Sequence, residues 1–217
     1  LNTVTDSFNA AQFKAKWSKP IVVRVAHVKS GSSMQDILDG RIEPTIWSPG
    51  DQSWVDSINQ TWTDRTGNPL IPDACHATVY APVGFAMWRP MAEAMGWPDE
   101  SIGWDDMVDL AADPEGWGRY GHPEWGPFKF GHTHPEHSNS GLLLMSALVY
   151  STLDRTDGLT AELVKSDEVV DAMRAVELNT HHYGSSSRYN STRMVDRGPD
   201  YLHATNASEA ETLRTNS

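Results

Sequence analysis

The hydrophobic pattern of this chain first predicts strands and helices in alternation. Residues 21–28 (IVVRVAHV) are rich in β-branched residues, and apolar side chains occupy both odd and even positions. This pattern predicts a strand that is covered on both faces. A helix is predicted over residues 34–40, followed by a short strand at 45–47 and a helix at 52–62. This order of elements indicates a parallel sheet flanked by helices.

The hydrophobic patterns of strands and helices continue through the rest of the chain. Residues 78–88 (TVYAPVGFAMW) form the longest strand-like run, and residues 128–132 alternate as a second strand. Residues 113–127 are rich in Gly, Pro and Trp and are predicted to be irregular, while 205–217 is polar and shows no clear pattern. Apolar positions three or four apart predict further helices over residues 8–17, 90–95, 101–112, 140–153, 167–182 and 189–196.

Composition narrows the class of protein. The 217 residues are 39% hydrophobic and 21% charged, as in an ordinary globular protein of one or two domains. A net charge of −12 argues against a nucleic-acid partner and against an anionic membrane surface. No stretch approaches the roughly 20 apolar residues of a transmembrane helix. The single cysteine, Cys75, excludes a disulfide within this sequence.

Small polar residues cluster where predicted strands or loops enter helices. In open α/β sheets, ligands bind beyond the carboxyl ends of the strands, where helix N-termini offer unpaired N–H groups and a partial positive charge. Gly31 and Gly141 would let a backbone approach closely. These positions predict a site for a small polar or anionic ligand, with the candidates Ser30, Ser32, Ser33, Trp47, Ser48, His134, Ser138, Asn139, Ser140, Ser185, Ser186 and Ser187. Simple helix capping is the alternative explanation for each serine group.

Three histidines in the stretch FGHTHPEHSNSGLLL allow a second hypothesis. On a strand, His132 and His134 would point to the same face, and His137 could join them from the following turn, which would give three ligands for a zinc ion. However, His-x-His-x-x-His is not an established spacing of zinc enzymes, and Pro135 stiffens the turn. A structural role, with ring nitrogens bonded to loop carbonyls, is the explanation that the sequence favours.

Enzymatic hypotheses find little support in the sequence. It contains neither a Gly-x-Ser-x-Gly nucleophile elbow nor a phosphate-binding loop of the Walker type. The paired carboxylates Asp105 and Asp106 lie at a predicted helix start, where they favour the helix dipole. We therefore expect a protein that is not an enzyme and that needs no cofactor.

Three stretches of the chain carry a resemblance to a known family. Residues 86–98 (AMWRPMAEAMGWP), 101–143 (SIGWDDMVDLAADPEGWGRYGHPEWGPFKFGHTHPEHSNSGLL) and 181–202 (HHYGSSSRYNSTRMVDRGPDYL) resemble the extracellular solute-binding proteins. The similarity is to those with the type 2 periplasmic-binding-protein fold, in the subgroup often joined to a von Willebrand factor A domain. It extends over residues 8–205, nearly the whole sequence.

The resemblance implies an α/β fold of two lobes, each with a mixed, mostly parallel sheet flanked by helices. It assigns residues 1–85 to a partial first lobe, 86–200 to a second lobe, and 201–217 to a segment returning toward the first. A crossover strand is expected at residues 80–88. Relative to the family, the fold is expected to be incomplete at both termini.

The resemblance also implies a function. The expected protein is extracytoplasmic, either periplasmic or on the cell surface, and captures a small polar or anionic solute between its lobes. It would serve an ABC-type permease, or act as a sensor beside a fused von Willebrand factor A domain. We expect Ser138, Asn139 and Ser140 to face the ligand, with Ser32 and Ser33 opposite them across the cleft. Metal binding by His132, His134 and His137 remains the alternative.

Overall fold

One mixed sheet of four strands organises the described part of the chain. The computed structural model describes residues 2–72 and 75–216, and its strands are β1 (Val83–Met87), β2 (Phe130–Thr133), β3 (Thr180–Gly184) and β4 (Ala204–Ser208). Their order in the sheet is β1-β4-β2-β3. Strands β4, β2 and β3 run parallel, and β1 runs antiparallel to β4. The expected α/β class, with a mixed sheet flanked by helices, is confirmed, while the division into two lobes stays a prediction.

Helices connect and cover these strands. Short 3₁₀ helices lie at Lys16–Ser18, Gly116–Tyr120 and Pro123–Trp125. The α-helices of the described residues are α1 (Asn2–Ala10), α2 (Ser30–Leu38), α3 (Gln52–Thr66), α4 (Arg89–Ala94), α5 (Trp104–Ala112), α6 (Asn139–Thr152), α7 (Ala161–Val164), α8 (Asp167–Leu178), α9 (Ser187–Arg197) and α10 (Glu209–Thr215). The helices predicted between residues 34 and 62 and between 90 and 153 are confirmed, with small shifts of their ends.

The main hydrophobic core lies on one face of the sheet, under α4, α5, α6 and α8. Phe130 of β2 is fully buried there, and the rings of Phe85 and Trp104 meet it edge to face at 6.2 Å between centroids. The fully buried Leu110 and Leu148 come from α5 and α6. Since all the buried members of this core lie between residues 91 and 204, residues 2–72 contribute none of them.

Strand β4 is held in the middle of the sheet by bonds from distant parts of the chain. The indole of Trp88 donates to the carbonyl of Leu202 at 2.8 Å, and that of Trp117 donates to Nδ1 of His203 at 2.9 Å. The hydroxyl of Thr205 donates to the carbonyl of Gly131 at 2.7 Å. Residues 202–207 are all buried. The segment after residue 200 thus contains a central strand, although its polar sequence predicted none.

Helices α2 and α3 form a small unit of their own. Leu38 of α2 is buried, as are Trp54, Val55 and Ile58 on the inner face of α3. The guanidinium of Arg65 donates to the carbonyl of Leu38 at 3.1 Å, which joins the C-terminal ends of the two helices. Apolar packing and this bond hold α2 and α3 together as a helical pair.

The strand predictions for residues 21–28 and 45–47 are wrong. Neither stretch has strand structure, and Val22 is 65% exposed and Ile46 84% exposed. Residues 21–28 contact the chain before them, where the backbone of Val23 exchanges two hydrogen bonds with the side chain of Asn9. A strand needs a neighbour for its backbone groups, and the described residues place none beside either stretch.

Three other predictions differ from the structure. The helix predicted over 8–17 lies earlier, at α1, and the strand predicted over 78–88 is reduced to β1. The helix predicted over 167–182 ends at Leu178, and His181 and His182 belong to β3 rather than to a helix end. Asn179 ends this helix, and its side chain donates to the carbonyls of Ala111 and Ala175.

The buried imidazole of His203 makes a pH-dependent contribution to stability. Its Nδ1 accepts from the indole of Trp117 and from the backbone N–H of Lys129, so the folded protein requires the neutral ring. Burial, and secondarily the charge of Lys129, lowers the pKa of His203 to about 4. In the unfolded chain the pKa returns to about 6.5, so between these pH values the unfolded state binds a proton that the folded state excludes.

We therefore expect His203 to weaken the fold as the pH falls from 6.5 toward 4. In His203→Asn the amide oxygen can accept the same two hydrogen bonds without titrating. The difference in free energy of unfolding between wild type and this variant, measured by urea denaturation, should shrink on the order of 1–3 kcal/mol between pH 7 and pH 4.5. The carboxylates titrate alike in both proteins, so a difference that stays constant with pH would contradict the assignment.

Candidate functional site

The α2–α3 pair contacts the sheet at the loop between β2 and α6. This loop, residues 134–138, lies beyond the carboxyl end of β2. The backbone N–H of Gly31 donates to the carbonyl of His137 at 3.2 Å, and the indole of Trp54 donates to Oδ1 of Asn139 at 2.9 Å. A Cβ atom on Gly31 would lie 2.2 Å from the carbonyl oxygen of Glu136. The two segments therefore touch backbone to backbone.

Three helix N-termini converge at this contact. Gly31 lies in the first turn of α2, Gly50 lies two residues before α3, and Asn139 is the first residue of α6. A Cβ atom on Gly50 would lie 2.5 Å from the side chain of Asn139, and the backbone N–H of Gly50 donates to Oγ of Ser30 at 3.0 Å. None of the three helices has an acidic residue in its first turn, although Asp51 caps α3. The partial positive charges of three helix dipoles thus meet in one place.

Hydroxyl groups at the start of α6 bond to one another. Thr133 Oγ1 donates to Ser138 Oγ at 2.9 Å, and it lies 3.1 Å from Ser140 Oγ. The two serine oxygens lie 3.0 Å apart. A Cβ atom on Gly141 would lie 2.2 Å from the carbonyl oxygen of Thr133. This end of α6 is therefore packed tightly against the end of β2 by a closed triangle of hydroxyls.

An open groove lies beside the contact, between the first turns of α3 and the β2–α6 loop. Its volume is about 370 Å³, which lies within the range of small-molecule sites. Carbon atoms provide most of its surface, with hydroxyls at the α3 side and a carboxylate at the loop side. It is lined by Ser53, Trp54, Ser57, Pro135, Glu136 and Leu142.

The three candidate histidines do not form one cluster. His132 is fully buried between the rings of Phe130 and Tyr183, and its Nδ1 bonds the carbonyl of Thr133 at 3.0 Å. His134 and His137 are exposed on the loop. The expected structural role of a histidine bonded to a carbonyl describes His132, while a metal site that includes its ring has no support in this geometry.

Charged and phenolic groups pack beside His132. Its Nε2 lies 3.3 Å from Oε1 of Glu177, though poorly aligned for a hydrogen bond, and the hydroxyl of Tyr183 donates to the same carboxylate. The proximity of His132 is the largest cause that lowers the pKa of Glu177. Burial, followed by the bond to Glu177, raises the pKa of Tyr183 to about 12. At neutral pH the phenol is therefore a donor and the carboxylate an acceptor.

The predicted site residues fall into two groups. Ser30 and the segment 138–140 meet at the contact, and Ser33 lies just behind it, buried, with its Oγ accepting from the indole of Trp47 at 2.9 Å. Ser32 is half-buried on α2, Ser48 is exposed before α3, and His134 is exposed on the loop. The starts of α2 and α6 lie close together, with Gly31 rather than Ser32 or Ser33 in contact with the loop, and the expected facing of Ser32 and Ser33 with residues 138–140 across a cleft stays a prediction.

The serines after β3 lie at the same edge of the sheet but have other partners. Gly184, which ends β3, pairs with Thr133, so Ser185 follows β3 next to the β2–α6 loop. Ser186 caps α9 by accepting from the N–H of Tyr189 at 3.1 Å. The hydroxyl of Ser187 donates to Glu211 of α10 at 2.9 Å. Helix capping, the alternative explanation, is therefore correct for Ser186.

Sequence reasoning missed several residues of this contact. Trp54 and Thr133 make central hydrogen bonds, yet nothing in the sequence separates Trp54 from the other eight tryptophans. Gly31 and Gly141 were expected to allow close approach of a ligand, but in each case a backbone carbonyl of the protein occupies the space where a side chain would lie. The Ser-Pro-Gly turn at 48–50 was a possible signal for Gly50, since a Gly before a helix often marks a close approach.

Comparison of the chain with protein-family models, with curated proteins and with solved structures finds no match. In residues 2–72 and 75–216, no helix is long and apolar enough to cross a membrane.

Replacing Gly31 tests the contact between α2 and the loop. Alanine normally stabilises a helix relative to glycine by roughly 1 kcal/mol. In Gly31→Ala, however, the new methyl would meet the Glu136 carbonyl and the Trp54 ring. We expect a loss of about 1–3 kcal/mol in the free energy of unfolding, because overpacking outweighs propensity. The matched control is Gly84→Ala, where the new methyl has no neighbour within 4 Å. A Gly31→Ala variant more stable than wild type would show that the contact does not form.

Removing the ring of His132 tests its structural role. We expect His132→Ala to lower the free energy of unfolding by roughly 2–4 kcal/mol, because a fully buried side chain is deleted and a cavity remains. The exposed His181 on β3 serves as the control, and its alanine variant should lie within about 0.5 kcal/mol of wild type. Equal stability of the two variants, measured by denaturant unfolding, would argue against the buried position of His132.

Proposed function

We propose that this chain is a non-enzymatic solute-binding module that captures a small polar or anionic ligand where α2 and α3 meet the β2–α6 loop. The observation that carries the proposal is the convergence of the first turns of α2, α3 and α6 at Gly31, Gly50 and Asn139. Helix N-termini present backbone N–H groups and partial positive charge, which suit a carboxylate, sulfate, phosphate or sugar.

The caps of the helices support a ligand with acceptor atoms. The N-caps of α2 and α6, Lys29 and Ser138, make no side-chain hydrogen bond to the first turn. Lys29 places a cation at the start of α2, next to Ser30. The Lys29 cation offsets part of the negative charge that the Asp51 cap and Glu136 bring to this end of the sheet.

The small size of the contact supports closure around a ligand. It consists of two glycines, one indole and one amide, whereas the sheet core and the α2–α3 core are separate. In the proposed mechanism, α2 and α3 belong to a first lobe, and the sheet with its helices belongs to a second. A ligand that contacts both would favour the closed arrangement by its differential affinity for that state.

The biological setting follows from the resemblance of the sequence to extracellular solute-binding proteins. We propose an extracytoplasmic protein that delivers its solute to an ABC-type permease, or that senses the solute beside a von Willebrand factor A domain. In the type 2 fold that this implies, the β2–α6 loop and the start of α2 belong to opposite walls of the cleft. Ser138, Asn139 and Ser140 would then face Ser32 and Ser33, as the sequence led us to expect.

A single isosteric charge change tests the proposed anion site. In Asn139→Asp the carboxylate can still accept from Trp54, and an acidic residue in the first turn favours the dipole of α6. Stability should therefore stay equal or rise. Binding of an anion at the three N-termini should weaken at least tenfold, because like charges about 5 Å apart repel by roughly 3 kcal/mol at an effective dielectric constant of 20.

The measurement is a thermal-shift and calorimetric screen with sulfate, phosphate, small carboxylates and neutral sugars. The control variant is Asn68→Asp, which makes the same change at an exposed site beyond the other end of α3. An anion that binds wild type and Asn139→Asp equally well does not occupy the proposed site. A screen in which no compound raises the melting temperature of the wild type would speak against a solute-binding function for this chain.

The hydroxyl of Ser140 tests the contribution of the α6 start to binding. We expect Ser140→Ala to weaken ligand binding by about 1–3 kcal/mol through a lost hydrogen bond. Part of this effect passes through Thr133 and Ser138, because the three hydroxyls orient one another. Isothermal titration with the best compound of the screen measures the change, and unaltered affinity would remove Ser140 from the site.

A further inference from the structure

A second cluster on the β2–α6 loop has the composition of a metal site. His134, Glu136 and His137 each offer one ligand atom, and these atoms all lie within 4.8 Å of one another. The ligands of a tetrahedral zinc ion lie about 2.0–2.2 Å from the metal, so such atoms are roughly 3.3–3.5 Å apart. The three side chains are exposed, so closing the remaining distance requires movement of side chains that face solvent.

A tight turn preorganises the two histidines. The N–H groups of His137 and Ser138 both donate to the carbonyl of His134, at 3.2 and 3.0 Å, which places residues three apart on one side. The two rings are stacked, with centroids 5.2 Å apart and an angle of 29° between their planes. Pro135 stiffens the turn. Because the backbone already holds both rings together, ordering them on metal binding costs little free energy.

Outside the cluster, a neighbour of these side chains is the ring of Tyr183, whose centroid lies 6.1 Å from that of His134. All three are exposed, so their ligand atoms face solvent and an ion can reach them. Nδ1 of His134 accepts from the N–H of Glu136 at 3.3 Å, a long bond that is cheaply exchanged for a metal ligand. The sequence spacing suggested His132 as a third ligand, but its ring is fully buried and lies outside the cluster. The third ligand of the cluster is Glu136.

We propose that His134, Glu136 and His137 bind a divalent transition-metal ion of the zinc class. Two imidazoles and one carboxylate are a ligand set that zinc uses in proteins, with water completing the tetrahedron. The negative charge of the protein raises the local concentration of cations. This site is separate from the proposed solute site in its ligand atoms and goes beyond that function, but the two share one loop.

The shared loop gives the ion a consequence for the contact with α2. The carbonyls of Glu136 and His137 are the groups that Gly31 approaches, while the side chains of the same residues are metal ligands. A bound ion therefore holds the loop in the conformation to which α2 is bonded. Zinc should slow hydrogen exchange of the Gly31 amide, whose N–H is bonded to His137.

The first experiment is calorimetric titration of the full chain with zinc chloride, in parallel with cobalt chloride followed by visible absorption. We expect one zinc ion per chain and cobalt bands typical of tetrahedral coordination. His134→Ala, His137→Ala and Glu136→Gln should each weaken zinc binding by about tenfold or more. The three side chains are exposed, so these variants should keep the circular dichroism spectrum and melting temperature of the metal-free wild type.

His181→Ala is the matched control, because His181 is an exposed histidine on β3 outside the cluster. Its zinc affinity should equal that of wild type. The proposal is overturned if zinc does not bind, if the cluster variants bind as wild type does, or if His181→Ala loses affinity as they do. Hydrogen exchange at Gly31 that zinc leaves unchanged would overturn the coupling to α2. Because the probe is the metal alone, these results are independent of the anion and sugar screen.

Discussion

The position of β4 in the centre of the sheet is the constraint on which the rest of the structure depends. This strand joins β1 to β2, yet it comes 71 residues after the end of β2, at the far end of the sequence. Its neighbours reach it through the indoles of Trp88 and Trp117 and through backbone bonds between Lys129 and His203. The sheet therefore closes only when Ala204–Ser208 pairs with both β1 and β2, and such long-range pairing slows folding.

The closed sheet supports the β2–α6 loop at its edge. Behind the loop lie the buried His132 and Thr133, and in front of it the hydroxyl triangle fastens the start of α6. The α2–α3 pair meets this loop through glycine and polar contacts and through Trp54, whose ring also lines a groove with Pro135 and Leu142. The contact lies outside the main sheet core, to which α2 and α3 contribute no buried residue.

The sequence predicted local structure better than pairing. Helices such as α5 and α6 follow from apolar residues three or four apart, a signal contained within each segment. Strand formation depends on what lies alongside. The apolar run at 21–28 reads as a buried strand but has no neighbouring strand among the described residues, whereas the polar β4 (ATNAS) is buried on all sides by distant segments. Neither outcome can be derived from the composition of the stretch itself.

For the candidate site, the sequence predicted the turns after β2 and β3 but not the partners of their side chains. The turns after β2 and β3 do lie at one edge of the sheet, as the topology of parallel strands requires, whereas the starts of α2 and α3 follow no strand. Side-chain partners were not predictable, because they depend on angstrom-scale placement. Ser138 and Ser140 satisfy each other and Thr133, while Ser33 is occupied by Trp47, so these hydroxyls are less available to a ligand than their positions suggested. The N–H groups of Gly31 and Gly50 are also bonded within the protein, which leaves the first N–H groups of α6, the amide of Asn139 and the exposed imidazoles of the loop as the groups best placed for binding. N–H and amide donors need a ligand with acceptor atoms, such as an oxyanion, whereas neutral imidazoles offer lone pairs to a metal ion. An oxyanion at the helix starts and a metal ion at the histidines are therefore chemically distinct ligands of neighbouring sites.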